Sequence, residues 1–466
     1  MTDRYQLAVI GAGPAGMAAA VQAEALGLDT VLLDEQSGPG GQVYRSVDRS
    51  PLRGTRILGL DYAAGAGLAA ALRESAVAYV PAAGVWHIER GFRLALSDGD
   101  RIRLIEADRV ILATGALERP MPVTGWTLPG VMTAGAAQLL LKSSAVAVDG
   151  AVFAGCGPLL YLVAAQYLRA GLTIRAILDT TDPANRRPAL ASLSLGGSTF
   201  RTLAKGLGLL AEIRRAGVPM FRNVEDLRIA GRSRATGVAF RRGGAWQPLD
   251  GVTTVFLHQG VAPNLQLAWA AGCPPVWDAE RLCWTAETDA WGRTALPGLL
   301  VAGDAAGIAG ARAAADRGRL AALAAACSLD FLSEQRRDAL ARPLQVSLRR
   351  EAAIRPFLER LYRPRFGLRV PAGDAVIVCR CEEVTAGMVR REARRGAAEA
   401  NRLKSALRCG MGPCQGRICA GTVSELIAAS SGLPVEVVGR FRVRPPIRPV
   451  PLDQLARLPA LETAEA

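Results

Sequence analysis

Apolar positions along the chain fall into short strand-like runs separated by longer stretches of helical period. Residues 7–10 form an apolar run, followed by a glycine-rich turn and an alanine-rich helix to about residue 26. A second strand at 30–33 ends on Asp34 and Glu35. Buried-strand runs recur at 110–113 and at 299–302, the latter leading through a Gly/Ala-rich turn into a helix to about 329. At 151–154 the opening unit repeats: strand, glycine-rich turn, helix over 159–170, strand over 174–178. Residues 238–257 alternate in part and carry turn signals, so they read as strands. Such strand–turn–helix–strand units predict an α/β fold with parallel sheets. Residues 331–366 are arginine-rich and helical in period, with Pro343, Pro356 and Pro364 as breakers. A small domain follows over 371–432, with a strand at 375–378 and a helix from Thr385 as N-cap to Gly396. The tail from 433 carries five prolines to 451 and reads as extended.

Composition narrows the class. A length of 466 residues suits roughly three domains. Half the residues are apolar and 21% are charged, a globular balance that excludes wholesale disorder. No apolar run approaches the ~18 residues of a membrane span, although peripheral membrane contact stays open. The start has no room for a secretory leader, so the expected location is cytoplasmic. The net charge of +14 comes mostly from scattered arginines, and aromatics are only 5%. No stacking platform for nucleic acid follows from that, and the charge reads as a basic surface.

Two groups of residues carry chemistry. Gly11-Ala12-Gly13-Pro14-Ala15-Gly16 fits G-x-G-x-x-G directly after a strand. The first glycine makes the tight turn, the second admits a pyrophosphate, and the third lets helix and strand pack closely. Glu35 ends the second strand on the face of Val31 and Leu33, so it is chosen over Asp34 for the ribose hydroxyls. The second group is five cysteines, Cys379, Cys381, Cys409, Cys414 and Cys419, within a short window. Clustered cysteines in such a chain point to metal or redox chemistry. The only histidines are His87 and His258, which excludes a His-rich zinc site and argues against a Rieske centre. A C-x-C with a later C-x4-C can hold one [2Fe–2S] cluster, with glycine amides at 410, 412 and 416 near its sulfurs and Arg380, Arg408 and Arg417 offsetting its charge. Four-cysteine zinc is the rival, but C-x-C is a poor zinc knuckle.

With Gly38-Pro39-Gly40-Gly41-Gln42, Ala113-Thr114-Gly115, Val301-Ala302-Gly303-Asp304 and Gly310-Ala311, residues 1–330 resemble the glutathione- and thioredoxin-reductase superfamily of flavoproteins. The resemblance implies two Rossmann-like dinucleotide-binding domains and FAD. It places Gly11, Gly13, Pro14, Ala15, Gly16, Glu35, Gly41, Gln42, Thr114 and Gly115 around the cofactor, with Gly303 and Asp304 at the ribityl chain and Ala311 at the ring. Two departures stand out. No redox-active cysteine pair precedes residue 379, so dithiol exchange is not expected. In the second unit, Gly155-Cys156-Gly157-Pro158-Leu159-Leu160, Leu160 replaces the third glycine. NAD(P) is therefore not expected there, although Asp179 ends the next strand, and Cys156 reads as a core thiol.

The cysteine window resembles the bacterioferritin-associated-ferredoxin-like [2Fe–2S] domain. That resemblance implies Cys379, Cys381, Cys414 and Cys419 as ligands, with Cys409 a neighbour or spare. The whole chain, including Gly125-Trp126-Thr127-Leu128-Pro129-Gly130-Val131 and Gly260-Val261-Ala262-Pro263-Asn264, resembles the flavin and iron–sulfur subunits of bacterial heteromeric amine dehydrogenases, the D-hydroxyproline dehydrogenase, opine oxidase and hydrogen cyanide synthase group. It implies a flavin-containing amine-oxidase-like partner, a small ferredoxin-like protein as a further candidate partner, and an electron acceptor other than O2. The expected layout is a flavin domain in two parts (1–145 and 256–330), a second dinucleotide domain (146–255), a helical linker (331–370), the cluster domain (371–432) and a partner-binding tail (433–466). No general base or nucleophile triad is visible, so no catalytic residue is assigned, and His258 reads as structural. The competing classes are a stand-alone NAD(P)H-dependent ferredoxin or disulfide reductase and a zinc-stabilised interaction module. The sequence names neither substrate nor acceptor.

Overall fold

A computed structural model describes residues 3–99, 101–194 and 196–456. Its first sheet has seven strands. In order these are Ala78–Val80, Thr30–Leu33, Asp3–Ile10, Arg101–Leu112, Arg93–Asp98 and Ala83–Ile88, with Leu299–Val301 also on Arg101–Leu112. Arg101–Leu112 is shared: its first half pairs antiparallel with Arg93–Asp98, its last residues parallel with Leu299–Val301. The strand from residue 299 thereby returns to the sheet begun at residue 3, and the carboxyl ends of several strands meet at one edge. Such a crevice is where open α/β sheets bind ligands.

The helix Pro14–Glu24 packs on this sheet and against the helix Ala311–Cys327. Alanines allow that closeness, and two glycines require it. A Cβ on Gly16 would stand 1.7 Å from the Gly11 carbonyl oxygen, and one on Gly318 would stand 2.0 Å from that of Ala15.

A second, five-stranded parallel sheet runs Met220–Arg222, Ile174–Asp179, Ala151–Gly155, Val255–His258, Val131–Thr133. Phe153, Tyr167 and Phe256 pack edge to face at its centre, with ring centroids 5.0–5.5 Å apart. A three-stranded meander over Asp226–Gly231, Ala235–Arg242 and Ala245–Asp250 covers it. The two halves are joined by crossing strands, Ala116–Glu118 against Val261–Pro263.

The linker differs from expectation at Pro343, which sits inside the helix Glu334–Ala352 instead of ending it. Pro343 is exposed, and water can serve the carbonyl it leaves unpaired. The small domain follows expectation: Thr385 caps the helix Ala386–Arg394 by accepting the Met388 N–H at 3.3 Å.

The tail, expected to reach a partner, lies on its own chain as far as residue 456; residues 457–466 are outside the described range. Val438 and Phe441 join the small domain's core, and Ile447 joins the flavin-domain core, its N–H bonded to the Trp86 carbonyl at 3.1 Å. The apolar residues spaced between the prolines explain this course. Among the described residues no helix is long and apolar enough to cross a membrane.

Candidate functional site

A continuous cleft of about 2230 Å³ runs from the first glycine-rich turn, past the crossing strands, to the second. At the first turn the three glycines have distinct duties. Gly11 has φ +103° and its Cβ would stand 2.5 Å from the Ala113 carbonyl oxygen. Gly13 has room on its open side, its nearest neighbour being the Gly41 Cα at 3.8 Å. Gly16 is locked by packing, as above. With Pro14 and Ala15 opening the helix, backbone N–H groups face the cleft, a cradle suited to a pyrophosphate.

The two acidic residues part company here. Asp34 is buried; one carboxylate oxygen accepts the Ala12 N–H and the other the Gln36 N–H at 2.7 Å. Burial raises its pKa, and those two amides pull it back. Glu35 is exposed at the rim, with its carboxylate 3.6 Å from Arg448. Both line the cleft. The side-chain alternation used at the sequence level does not continue past Leu33, where the strand ends and the chain turns.

Thr114 and Gly115 are fastened to Asn264, whose N–H reaches the Gly115 carbonyl at 2.9 Å and whose carbonyl accepts the Thr114 hydroxyl. Gly303 has φ +69° and faces Ala15. Asp304 accepts the Ala309 N–H at 3.0 Å and lines the cleft beside Ala311, which opens its helix.

Gln42 and Val43 are held by a residue that no sequence motif marks, and the Gly41 carbonyl by Arg45 Nε at 3.1 Å. Lys142 is buried, and its Nζ donates to the Gln42 carbonyl (3.2 Å), the Val43 carbonyl (3.0 Å) and Gln138 Oε1 (2.8 Å). Gln138 in turn bonds Gln166 at 2.8 Å. Burial, aided by the Arg45 charge, pushes Lys142 down to about 7. The available signal was a Gln and a Lys four apart in an otherwise Ala/Leu-rich helix, Ala134–Ser144.

At the second turn Gly157, Pro158 and Leu159 share the cleft wall with the linker residues Tyr362, Arg363 and Pro364. Leu160 is fully buried in the core. Asp179 is bonded by Tyr161 and accepts the Thr181 N–H at 2.9 Å. The linker crosses the strand ends. The Tyr362 carbonyl lies 3.5 Å from Cys156 Sγ, and the Tyr362 and Tyr161 ring centroids are 6.3 Å apart. Arg365 donates to the Thr180 carbonyl at 3.0 Å and pairs with Asp182 at 3.1 Å, while Asn185 bonds the Arg363 carbonyl at 3.0 Å. Burial raises Cys156 to about 12, as for an inert core thiol. His258 Nδ1 lies 2.6 Å from Glu118 Oε1, and Glu118 Oε2 accepts the Gly135 N–H at 2.8 Å. That pair ties the crossing strand Ala116–Glu118 to the strand Val255–His258 of the second sheet.

The five cysteines converge. The Sγ atoms of Cys379, Cys409 and Cys419, all buried, lie within 4.8 Å of one another. Cys414 contacts both Cys419 and Cys381, and Cys381 is exposed. Backbone N–H groups of Glu382 and Gly410 reach Cys379, and those of Gly416 and Ile418 reach Cys414. The fit to a cluster is tight: a Cβ on Gly412 would stand 2.4 Å from that of Cys381, and one on Gly410 would stand 2.5 Å from the Phe441 ring. Of the nearby arginines, Arg380 lies over the Trp126 ring at 5.4 Å, Arg408 is 3.3 Å from Glu382, and Arg417 bonds the Ile447 carbonyl at 3.0 Å. Arg417 and Ile418 also line the cleft, and Gln266 in the cleft wall donates to the Gln415 carbonyl at 3.0 Å. The cysteine loop is thus part of the cleft wall.

Comparison with known proteins agrees with this geometry. Residues 5–324 match the pyridine nucleotide-disulphide oxidoreductase family, and 377–429 match the BFD-like [2Fe-2S] binding domain. The chain is 42% identical to one of the opine oxidase subunits of Rhizobium meliloti over 98% of this chain and 88% of that protein. It is 44% identical to the corresponding opine oxidase protein of Agrobacterium tumefaciens (strain Ach5) over 98% and 93%. Hydrogen cyanide synthase subunit HcnB of Pseudomonas aeruginosa is 33% identical over 97% and 98%. In fold, the chain is similar to L-proline dehydrogenase from P. horikoshii, with a TM-score of 0.74 at 21% identity over 98% of this chain and 81% of that one. T. acidophilum thioredoxin reductase superposes on 70% of this chain and 99% of its own, with a TM-score of 0.51 at 20% identity. The cofactors are FAD and a [2Fe–2S] cluster, and the zinc alternative falls.

Proposed function

The chain belongs to the pyridine nucleotide-disulphide oxidoreductase family, and from that premise we propose that it is the flavin- and iron–sulfur-bearing subunit of a heteromeric dehydrogenase. The enzyme oxidises a C–N bond of an amino or imino acid, such as an opine or D-hydroxyproline, and delivers the electrons to an acceptor other than O2. The observation that carries this reading is the cysteine loop in the cleft wall: Gln415, Arg417 and Ile418 belong to the cluster segment and border the flavin cleft. FAD, when bound, exchanges electrons in pairs, and a [2Fe–2S] cluster exchanges them singly.

This chain's residues bind and orient. The backbone N–H groups of Gly13, Ala15 and Gly16 receive the pyrophosphate, since those of Gly11 and Ala12 are taken by the Leu33 carbonyl and Asp34. Asp34, directed into the turn by Ala12 and Gln36, takes the ribose hydroxyls, with Glu35 at the rim. Asp304 meets the ribityl chain, the helix from Ala311 faces the ring, and Lys142 fixes the Gln42–Val43 backbone. Cys379, Cys381, Cys414 and Cys419 hold the cluster. The linker across Cys156, Thr180 and Asp182 closes the second nucleotide turn, which supports a route for electrons other than NAD(P)H. The names of the relatives, subunits of opine oxidase and hydrogen cyanide synthase, support a partner subunit; that this partner is itself an amine-oxidase-like flavoprotein, and that the complex is cytoplasmic, are parts of the proposal.

The test is dye reduction with opines, D-hydroxyproline and glycine. The isolated chain is expected to be inactive, and co-expression with the flavin-containing partner is expected to restore reduction in one complex on size exclusion. Full activity from the isolated chain would overturn the reading.

A further inference from the structure

A [2Fe–2S] cluster takes four terminal ligands, two on each iron. The site offers five thiols, and the structure sorts them by depth. Cys381 is exposed and touches Cys414, which is half-buried; Cys379, Cys409 and Cys419 form a buried trio within 4.8 Å. If the outer iron takes the outer pair, the inner iron has three thiols for two places. Cys409 and Cys419 each contact Cys379, so either can complete the inner pair. They come from opposite ends of one glycine-rich loop. Gly410 and Gly416, both with positive φ, flank its turn over Phe441, so Cys409 is set by the same backbone that sets Cys419. Nothing separates the two sulfurs, since they are in direct contact with each other.

We propose that Cys409 is a reserve ligand of the inner iron, interchangeable with Cys419 as the partner of Cys379. The outer pair has no such reserve: among the described residues the five thiols are the whole set, and Cys409 contacts the inner two. The exchange is a ligand substitution in which one iron–thiolate bond breaks and another forms, with no net change in oxidation state. The incoming thiol passes its proton to the displaced thiolate, with which it is in contact.

This inference rests on the [2Fe–2S] reading, and wild-type iron and labile sulfide check that reading separately. The variants are made in the full chain with its flavin, and alanine is used because it cannot ligate. Flavin content reports that the rest of the protein has folded. Wild type and Cys409→Ala are expected to hold about two irons and two labile sulfides per chain with the same EPR signal. Cys419→Ala is expected to keep at least half that iron and sulfide but with shifted g values and visible bands. The double variant Cys409→Ala/Cys419→Ala, and Cys414→Ala alone, are expected to fall below one tenth. A flavin-replete Cys419→Ala with no cluster after anaerobic reconstitution would overturn the proposal. So would a double variant that holds as much cluster as Cys419→Ala.

Discussion

Replacing Lys142 with methionine separates two effects of a buried ammonium. The wild-type Nζ has three donors and three acceptors within 3.2 Å, two of them the Gln42 and Val43 carbonyls. Methionine fills a similar volume but leaves those acceptors unpaired, a pH-independent loss of roughly 1–3 kcal/mol for the group. The second effect depends on pH. Burial holds Lys142 down at about 7 in the folded chain, against ~10.4 when unfolded. Below pH 7 both states carry the proton, so linkage contributes no slope. Between pH 7 and 10 the unfolded chain binds a proton that the folded chain has shed, so wild-type stability rises with pH. The slope approaches ~1.4 kcal/mol per pH unit, or about 2.5 kcal/mol between pH 7.5 and 9.5. Lys142→Met lacks this rise. The assay is urea unfolding of flavin-loaded protein at pH 6.5, 7.5, 8.5 and 9.5, followed by flavin fluorescence. The gap between wild type and variant is expected to widen above pH 7. Parallel profiles across the whole range would refute the claim that this lysine is held at depressed basicity.

Other outcomes follow from single contacts. Gly16→Val should abolish flavin binding, because even a Cβ there meets the Gly11 carbonyl oxygen at 1.7 Å; flavin-to-protein absorbance ratio checks it. Gly412→Val should empty the cluster while leaving flavin content intact, since the added carbons meet Cys381; iron analysis decides. Asp34→Asn should weaken flavin binding at least tenfold and Glu35→Gln less than threefold, measured by titration of apoprotein with FAD. NADH and NADPH should leave the flavin oxidised in wild type and in Leu160→Gly alike, because the linker still lies across Cys156 and Thr180. Rapid bleaching of wild type in stopped flow would count against that.

Local chemistry was legible in the sequence where backbone geometry forces residue choice. The turns at Gly11–Gly16 and Gly303–Asp304 show in any sequence that must bring backbone that close, and the structure puts them on one cleft. The cysteine window was equally plain, since few other arrangements place C-x-C and C-x4-C in so short a stretch. What stayed hidden depends on long-range packing. Asp34 and Glu35 are adjacent, and which of them enters the turn is set by where the strand stops, not by alternation. Lys142 lies about a hundred residues from the carbonyls it serves. The tail's prolines suggested an extended partner-binding segment, and they did not reveal that Phe441 and Ile447 fill apolar sites on the chain itself.

The linker ties the second turn to the cluster. Residues 355–365 lie across the turn where a second nucleotide would enter, and the chain then runs directly into the cluster domain. There Arg369 pairs with Glu425, both buried, and Trp126, packed in the core over the second sheet, donates to the Ile377 carbonyl at 2.7 Å. The segment that closes the second turn therefore also fixes the cluster domain against the flavin cleft. The two sets of contacts are made by neighbouring residues of one segment, Tyr362, Arg363 and Arg365 at the second turn and Arg369 at the cluster domain. On the proposed function this coupling has a direction. A fold that elsewhere brings a soluble hydride donor to the flavin has that entrance covered, and the covering segment leads to a one-electron centre in the cleft wall. On that proposal the electrons reach this chain from a neighbouring subunit.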